Sequence, residues 1–231
     1  MTKILSLLVL GALTASCGTS FPQQHPVGRA APPVNTVETA IAPDAVADTL
    51  LTDVRALDSS IVVELRYATS NNFTGAPLPG YLANRAFLRR EAAAALARVQ
   101  RNLGPQGLGL KIFDAYRPVR ATLAMVDWTE RVNRQDLLKD GYIASRSRHN
   151  LGLAIDLTLI ELATRRELEM GTPFDTFSAA AHTANASGEA AVNRQRLKAA
   201  MEGEGFVNYD QEWWHYSFDV PNPLRFDRAI R

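Results

Sequence analysis

The order of apolar and polar positions divides the chain into strands and helices before any chemistry is considered. Ile61-Val-Val-Glu-Leu-Arg-Tyr67 alternates and predicts a strand, followed by the turn-rich stretches Asn71–Gly75 and Pro77–Gly80. Leu88 to Asn102 is rich in Ala and Arg and predicts a helix, with Gly104 and Pro105 placed where helices stop. Leu108-Gly-Leu-Lys-Ile-Phe-Asp114 reads as a buried strand. Pro118 starts a helix that runs to about Asn133, because proline costs nothing in a first turn. Leu153, Ile155, Leu157 and Leu159 alternate with Ala154, Asp156 and Thr158, a strand with one apolar face and Asp156 on the other. A helix from Glu189 to about Glu204, stopped by Gly205, and a strand Trp214–Phe218 complete the series. Strands and helices in this order predict a single α+β domain: a small mixed or antiparallel sheet flanked by helices.

Composition narrows the partners. The chain has 231 residues, 46% of them apolar, enough for one ordinary core. Its 25 basic and 24 acidic side chains are interspersed, so no basic stripe points to nucleic acid, and a small molecule is the expected partner.

The N-terminus carries an address. Lys3 precedes the apolar run Ile4–Leu13, too short to span a bilayer but suited to a secretory signal, and Thr14-Ala-Ser-Cys17 follows. Small residues before a cysteine resemble the bacterial lipobox, although Thr14 stands where Leu is more usual. An ordinary signal peptide with an incidental cysteine is the plainer alternative. Cys17 is the only cysteine, so an internal disulfide is impossible and lipidation gives it a use. Residues 18–45 hold five prolines and two glycines with few charges, a composition that suits an extended tether. The expected layout is a lipoprotein signal peptide over 1–16, a tether over 17–45 and the folded domain over 46–231. Membrane contact would run only through a lipid on Cys17, and Gly18 after it slightly favours the outer membrane.

Two segments carry the chemistry. Ser145-Arg-Ser-Arg-His-Asn-Leu-Gly-Leu-Ala-Ile-Asp156 and Glu212-Trp-Trp-His215 supply two imidazoles, one carboxylate ligand and a spare carboxylate. Zinc hydrolases typically use three such ligands and leave a fourth position for water. His149, Asp156 and His215 fit as ligands, with Glu212 left free to move a proton. Seven residues separate His149 from Asp156, a span of roughly 20 Å in a strand or about 10 Å along a helix. The chain must therefore double back, and Asn150–Gly152 offers residues that tolerate a tight turn. Glu212 and His215 would face oppositely within one strand, so Glu212 belongs on the turn leading into it. His25 falls in the tether, and His182 has no acidic or histidine neighbour at ligand spacing. Trp213 and Trp214 read most simply as core or pocket-wall aromatics.

These motifs resemble the zinc D-alanyl-D-alanine dipeptidases of the VanX type. The pattern Ser147-x-His149-x-x-Gly152-x-Ala154-x-Asp156 with Glu212-x-Trp214-His215 carries the likeness. Tyr67-Ala-Thr, Asn72-Phe-Thr-Gly75, Asp114-Ala-Tyr-Arg-Pro118 and Met170-Gly-Thr-Pro-Phe-Asp175 extend it over residues 50–225. The resemblance implies one Zn2+ per chain on His149, Asp156 and His215, expected at the edge of the sheet, with Glu212 as general base and Arg117 polarising the scissile carbonyl. It also implies that Asp175 and Ser147 hold the free amino group of the dipeptide and that Tyr67 lines the pocket. Taken alone, Arg117 before proline fits a structural ion pair, Asp175 a helix N-cap, and Tyr67 a half-buried strand tyrosine.

The reaction so implied is hydrolysis of D-Ala-D-Ala in the bacterial cell envelope, in peptidoglycan turnover or salvage. Two other classes stand beside it. One is a D,D-carboxypeptidase acting on longer peptidoglycan peptides, distinguished by whether Asp175 closes the amino end of the pocket. The other is a catalytically silent wall-binding lipoprotein, against which intact Glu212 and Arg117 argue.

Overall fold

A computed structural model describes residues 40–231. The signal peptide, Cys17 and nearly all of the tether lie outside the described residues.

The apolar strands assemble around β5 (Leu108–Asp114) and β6 (Ala154–Glu161), which pair antiparallel. β3 (Val62–Val63) adds in parallel to β5, while β8 (His215–Ser217) and then β7 (Val207–Asn208) add antiparallel beyond β6. The sheet order is thus β3-β5-β6-β8-β7, mixed and open. Central position explains one departure from the expected pattern. β6 is buried on both faces rather than one, so Asp156 and Thr158 are covered along with the leucines.

Helices cover this sheet. α2 (Arg90–Leu103) presents an alanine-rich face with Leu96, Val99 and Leu103, all buried, against β5 and against α5 (Gly188–Glu202). α3 (Val119–Arg131) begins directly after Pro118, as proline in that place allows. The short α4 (Asp136–Lys139) packs on α3.

Three details differ from the sequence pattern. The strand expected over Ile61–Tyr67 shrinks to Val62–Val63, because the Asn84 side chain accepts from Leu65 N at 2.8 Å and donates to Val63 O at 2.8 Å where a neighbouring strand would bond. The chain then turns through a 3-10 helix, Arg66–Ala68, which carries Tyr67 into the interior. Leu88 and Arg89 leave the expected helix and join Phe87 in β4 (Phe87–Arg89), paired with β2 (Leu51–Asp53). Structure also starts before Val46: β1 (Ile41–Ala42) pairs with β9 (Arg225–Phe226), and α1 (Asp44–Leu50) follows, so residues 41–45 belong to the fold rather than the tether.

Candidate metal and catalytic site

The site sits where strand ends meet. Register places Asp114 opposite Asp156 and Asp156 opposite His215, one row of side chains across β5, β6 and β8. His149 comes to that row from the 3-10 turn Arg148–Leu151, which reverses the chain as the seven-residue spacing demands. Gly152 completes the reversal with φ 65°. A side chain there would be strained by the backbone and would place its Cβ 2.6 Å from Leu51 Cδ2 and 3.2 Å from Arg89 N. The Ser147 hydroxyl caps the turn by accepting from His149 N at 3.2 Å.

Three ligand atoms converge. One donor atom each from His149, Asp156 and His215 lies within 4.8 Å of the others. His149 is buried and donates Nδ1–H to the Ala115 carbonyl at 2.6 Å, which leaves the lone pair on Nε2 facing inward. That Nε2 lies 3.2 Å from His215 Nδ1 and 3.4 Å from Asp156 Oδ2, while His215 Nδ1 lies 2.9 Å from Asp156 Oδ1. Two imidazole lone pairs and a carboxylate aimed at one point suit a divalent cation of borderline softness, and a carbonyl behind the histidine fixes the tautomer such a cation needs. Burial pushes Asp156 up, but His149 and His215 outweigh it and hold the carboxyl well below the usual range. Burial lowers His215 against the opposing pull of Asp156, favouring the neutral, ligating imidazole.

Glu212 stands beside this trio on the turn before β8, its Oε2 3.8 Å from His215 Nδ1. The turn is closed by His215 N donating to the Glu212 carbonyl at 3.2 Å. Burial, reinforced by the charges of Asp156 and Asp175, raises the Glu212 carboxyl well above its ordinary value. A carboxyl so shifted can take up a proton and give it back, which is what general acid–base work requires.

Arg117 follows β5 and donates from Nε and Nη2 to the same oxygen of Asp114, at 2.9 and 2.8 Å. The ion pair expected for an arginine before proline therefore exists, and it also aims the guanidinium: Nη2 is 3.8 Å from Asp156 Oδ2. Desolvation works against its charge, yet Asp114 keeps Arg117 protonated far above neutrality.

The far wall is built by Asp175 and Tyr67. The Tyr67 phenol donates to both carboxylate oxygens of Asp175, at 3.0 and 3.2 Å. Asp175 has φ 62° and caps no helix. Burial first, then the charge of Asp156, raises its carboxyl well above normal, against the opposing effects of Tyr67 and Arg117. Phe73 and Phe177 stand with it, their rings 5.1 Å apart edge to face. Tyr67, Arg117, Ser147, His149, Asp156, Asp175, Glu212 and His215 all line one cavity of about 180 Å³.

Sequence reasoning missed Asp114 as a working residue, although a carboxylate at the end of a buried strand is a visible signal. It is fully buried, accepts from the Tyr81 phenol at 2.6 Å, and lies 3.5 Å from His149 Nδ1. Tyr142 and the two phenylalanines carried no periodic signal of a pocket. His182 stands behind the site, its Nε2 3.2 Å from the Tyr142 hydroxyl.

The model of the Peptidase M15 family, described as D-Ala-D-Ala dipeptidase, matches residues 47–224. The chain belongs to that family. A D-alanyl-D-alanine dipeptidase of Enterococcus faecium is 38% identical over 176 residues, 69% of this chain and 87% of that relative. One of Escherichia coli strain K12 is 35% identical over 180 residues, 77% of this chain and 88% of the relative. Among solved structures, the vancomycin-resistance D,D-dipeptidase VanXYg aligns with a TM-score of 0.37 and 19% identity, covering 61% of this chain and 54% of that one.

Proposed function

We propose that this member of the family is a zinc metallopeptidase that hydrolyses D-Ala-D-Ala to two D-alanines. The observation that carries the reading is the pairing of a three-donor metal cluster with a carboxylate that is not part of it: His149, Asp156 and His215 converge, and Glu212 lies beside them. A zinc ion on those three donors supplies a Lewis acid for the scissile carbonyl and lowers the pKa of water to about 7.

The residues of the chain divide the remaining work. Glu212 removes a proton from the attacking water and delivers it to the leaving amine nitrogen. Arg117, held by Asp114, presents fixed positive charge where negative charge develops on the carbonyl oxygen. Asp175, with the Tyr67 phenol on its oxygens, receives the ammonium group of the free dipeptide, and Ser147, which lines the same cavity, can accept from it. Asp175, Phe73 and Phe177 line the cavity together, and a carboxylate placed there to meet a free ammonium group supports the dipeptidase reading over a D,D-carboxypeptidase. The lipobox-like Thr14–Cys17 and the proline-rich segment after it support action in the bacterial cell envelope, tethered through Cys17, in peptidoglycan turnover or salvage.

The test is an assay of zinc-loaded protein on D-Ala-D-Ala, L-Ala-L-Ala and a muropeptide. D-Ala-D-Ala is the expected substrate, and Glu212→Ala is expected to keep zinc while losing at least about 10²–10⁴-fold in turnover. Preference for the muropeptide, or near wild-type turnover in the variant, would overturn the assignment.

A further inference from the structure

Asp175 and Phe177, which line the cavity, are carried on a loop between β6 and α5, and the loop is clasped at its base by one side chain. Arg194, on α5, is almost fully buried. Its Nε donates to the Met170 carbonyl at 2.7 Å, Nη1 to the His182 carbonyl at 2.7 Å, and Nη2 to the Ala180 carbonyl at 3.1 Å. One guanidinium thus holds both ends of the segment 171–181, from which Asp175 and Phe177 line the substrate cavity.

The chemistry of this contact is unusual for a buried cation. Among the described residues Arg194 forms no direct ion pair, and burial lowers its pKa from the ordinary arginine value against the opposing charge of Glu169. Its close contacts are hydrogen bonds to carbonyls. Only a planar fork with donors pointing three ways can bridge carbonyls that belong to different parts of a loop. Space there is already taken: a Cβ on Gly171, at φ 84°, would lie 3.1 Å from Arg194 Nη2.

The clasp also reaches the catalytic turn. The Arg194 guanidinium lies 5.9 Å from the centre of the Trp213 ring, and Trp213 spans the same loop ends, donating Nε1–H to Thr172 Oγ1 at 2.9 Å and its backbone N–H to the Ala181 carbonyl at 3.1 Å. Trp213 follows Glu212 directly. Both the amino-end wall and the general base are therefore referenced to one buried unit.

We propose that Arg194 is a positioning residue for substrate selection: by clasping the 171–181 loop it fixes Asp175 and Phe177 at the distance that admits a free dipeptide ammonium and excludes an extended amino end. It touches neither substrate nor metal. The proposal rests on the dipeptidase reading for its kinetic arm, and a second arm is independent of it.

The experiment uses the full chain with Arg194→Met and Arg194→Lys, the lysine variant keeping charge and bulk but not the fork. Kinetics on D-Ala-D-Ala and N-acetyl-D-Ala-D-Ala are read beside zinc content and amide hydrogen exchange. Zinc is expected to stay at about one per chain, KM for the free dipeptide to rise about tenfold with a smaller change in kcat, and the preference for free over acetylated substrate to shrink by about tenfold. Amides of residues 174–179 are expected to exchange faster in both variants while those of β6 do not change. Arg194→Lys is expected to fall between wild type and Arg194→Met. Equal loss on both substrates, or unchanged exchange in the loop, would overturn the proposal, as would failure of both variants to yield folded, zinc-loaded protein. If the wild type cleaves neither substrate, the dipeptidase reading and the selectivity claim fail together, whereas the exchange arm still judges the clasp.

Discussion

Asp156 and His215 are direct register partners on adjacent antiparallel strands, and the carboxylate oxygen of one lies 2.9 Å from Nδ1 of the other. Strand pairing, not a flexible loop, therefore sets the spacing of two of the three candidate metal donors, while the third, His149, arrives from a capped turn. Removing either imidazole leaves two donors where zinc ordinarily needs at least three from the protein. His149→Ala and His215→Ala are each expected to lose most of the roughly one zinc per chain. Metal analysis after dialysis checks this, and full occupancy in both variants would sink the site.

Asp114 belongs to the same row, and its role is to aim Arg117. Both bonds from the guanidinium end on one oxygen, so the carboxylate fixes direction as well as charge. Asp114→Ala leaves a buried cation without its partner, a change expected to cost about 3–5 kcal/mol of stability. Asp114→Asn keeps an acceptor and the shape. It is expected to fold and bind zinc, yet to lower kcat more than it raises KM, because in the proposed mechanism Arg117 acts on charge that develops during reaction. Steady-state kinetics with metal analysis decides the matter; a change confined to KM would place Asp114 in substrate binding instead.

How much of this is readable from the chain alone follows from the range of the interactions. The reversal at Asn150–Gly152 is legible because seven residues cannot bring two ligands together any other way, and β5 is legible because Leu108, Leu110, Ile112 and Phe113 crowd one short segment that only Lys111 interrupts. The position of Tyr67 is not. Its strand is cut short by Asn84, whose side chain substitutes for a neighbouring backbone, and nothing local in Ile61–Tyr67 announces that partner. The β1–β9 and β2–β4 pairs escape for the same reason, joining segments far apart in the chain through two or three residues each. The metal donors and Glu212 are visible because their chemistry is concentrated in two short motifs. Asp114 lies within a recognisable motif and still stays inconspicuous, since its work is done through Arg117 and His149 rather than on a ligand.

Asp175 predicts a pH dependence of stability. Burial raises its carboxyl well above the ordinary value, with Asp156 adding to the effect. Between the ordinary carboxylate value of about 4 and that raised value, the folded chain holds a proton that the unfolded chain has lost. Stability contributed at this position is thus lost as pH rises through that window, and no penalty exists below it. Asp175→Asn keeps an oxygen for the Tyr67 phenol and cannot ionise. Melting temperatures measured from about pH 4 to about pH 8 should fall less steeply for the variant than for wild type. Parallel curves would show that Asp175 does not titrate differently on folding.

The same carboxylate predicts what the enzyme refuses. On the proposed reading a free dipeptide brings an ammonium group to Asp175, neutralising a charge that the Tyr67 phenol and Arg117 together stabilise incompletely. Acetylation removes that positive charge and adds bulk against Phe73 and Phe177, so the acid is left without its partner and the cavity is overfilled. Each loss alone is worth about tenfold or more when a buried polar group goes unpaired. D-Ala-D-Ala should accordingly be cleaved at least about a hundredfold faster than N-acetyl-D-Ala-D-Ala, taking the two effects as additive. Asp175→Ala should narrow that gap chiefly by slowing the free dipeptide, because the acetylated substrate gains nothing from the acid. Comparing kcat/KM for both substrates in both proteins measures the four numbers needed. Equal rates on the two substrates in the wild type would mean that the amino end is open, and the carboxypeptidase reading would take the place of the dipeptidase one.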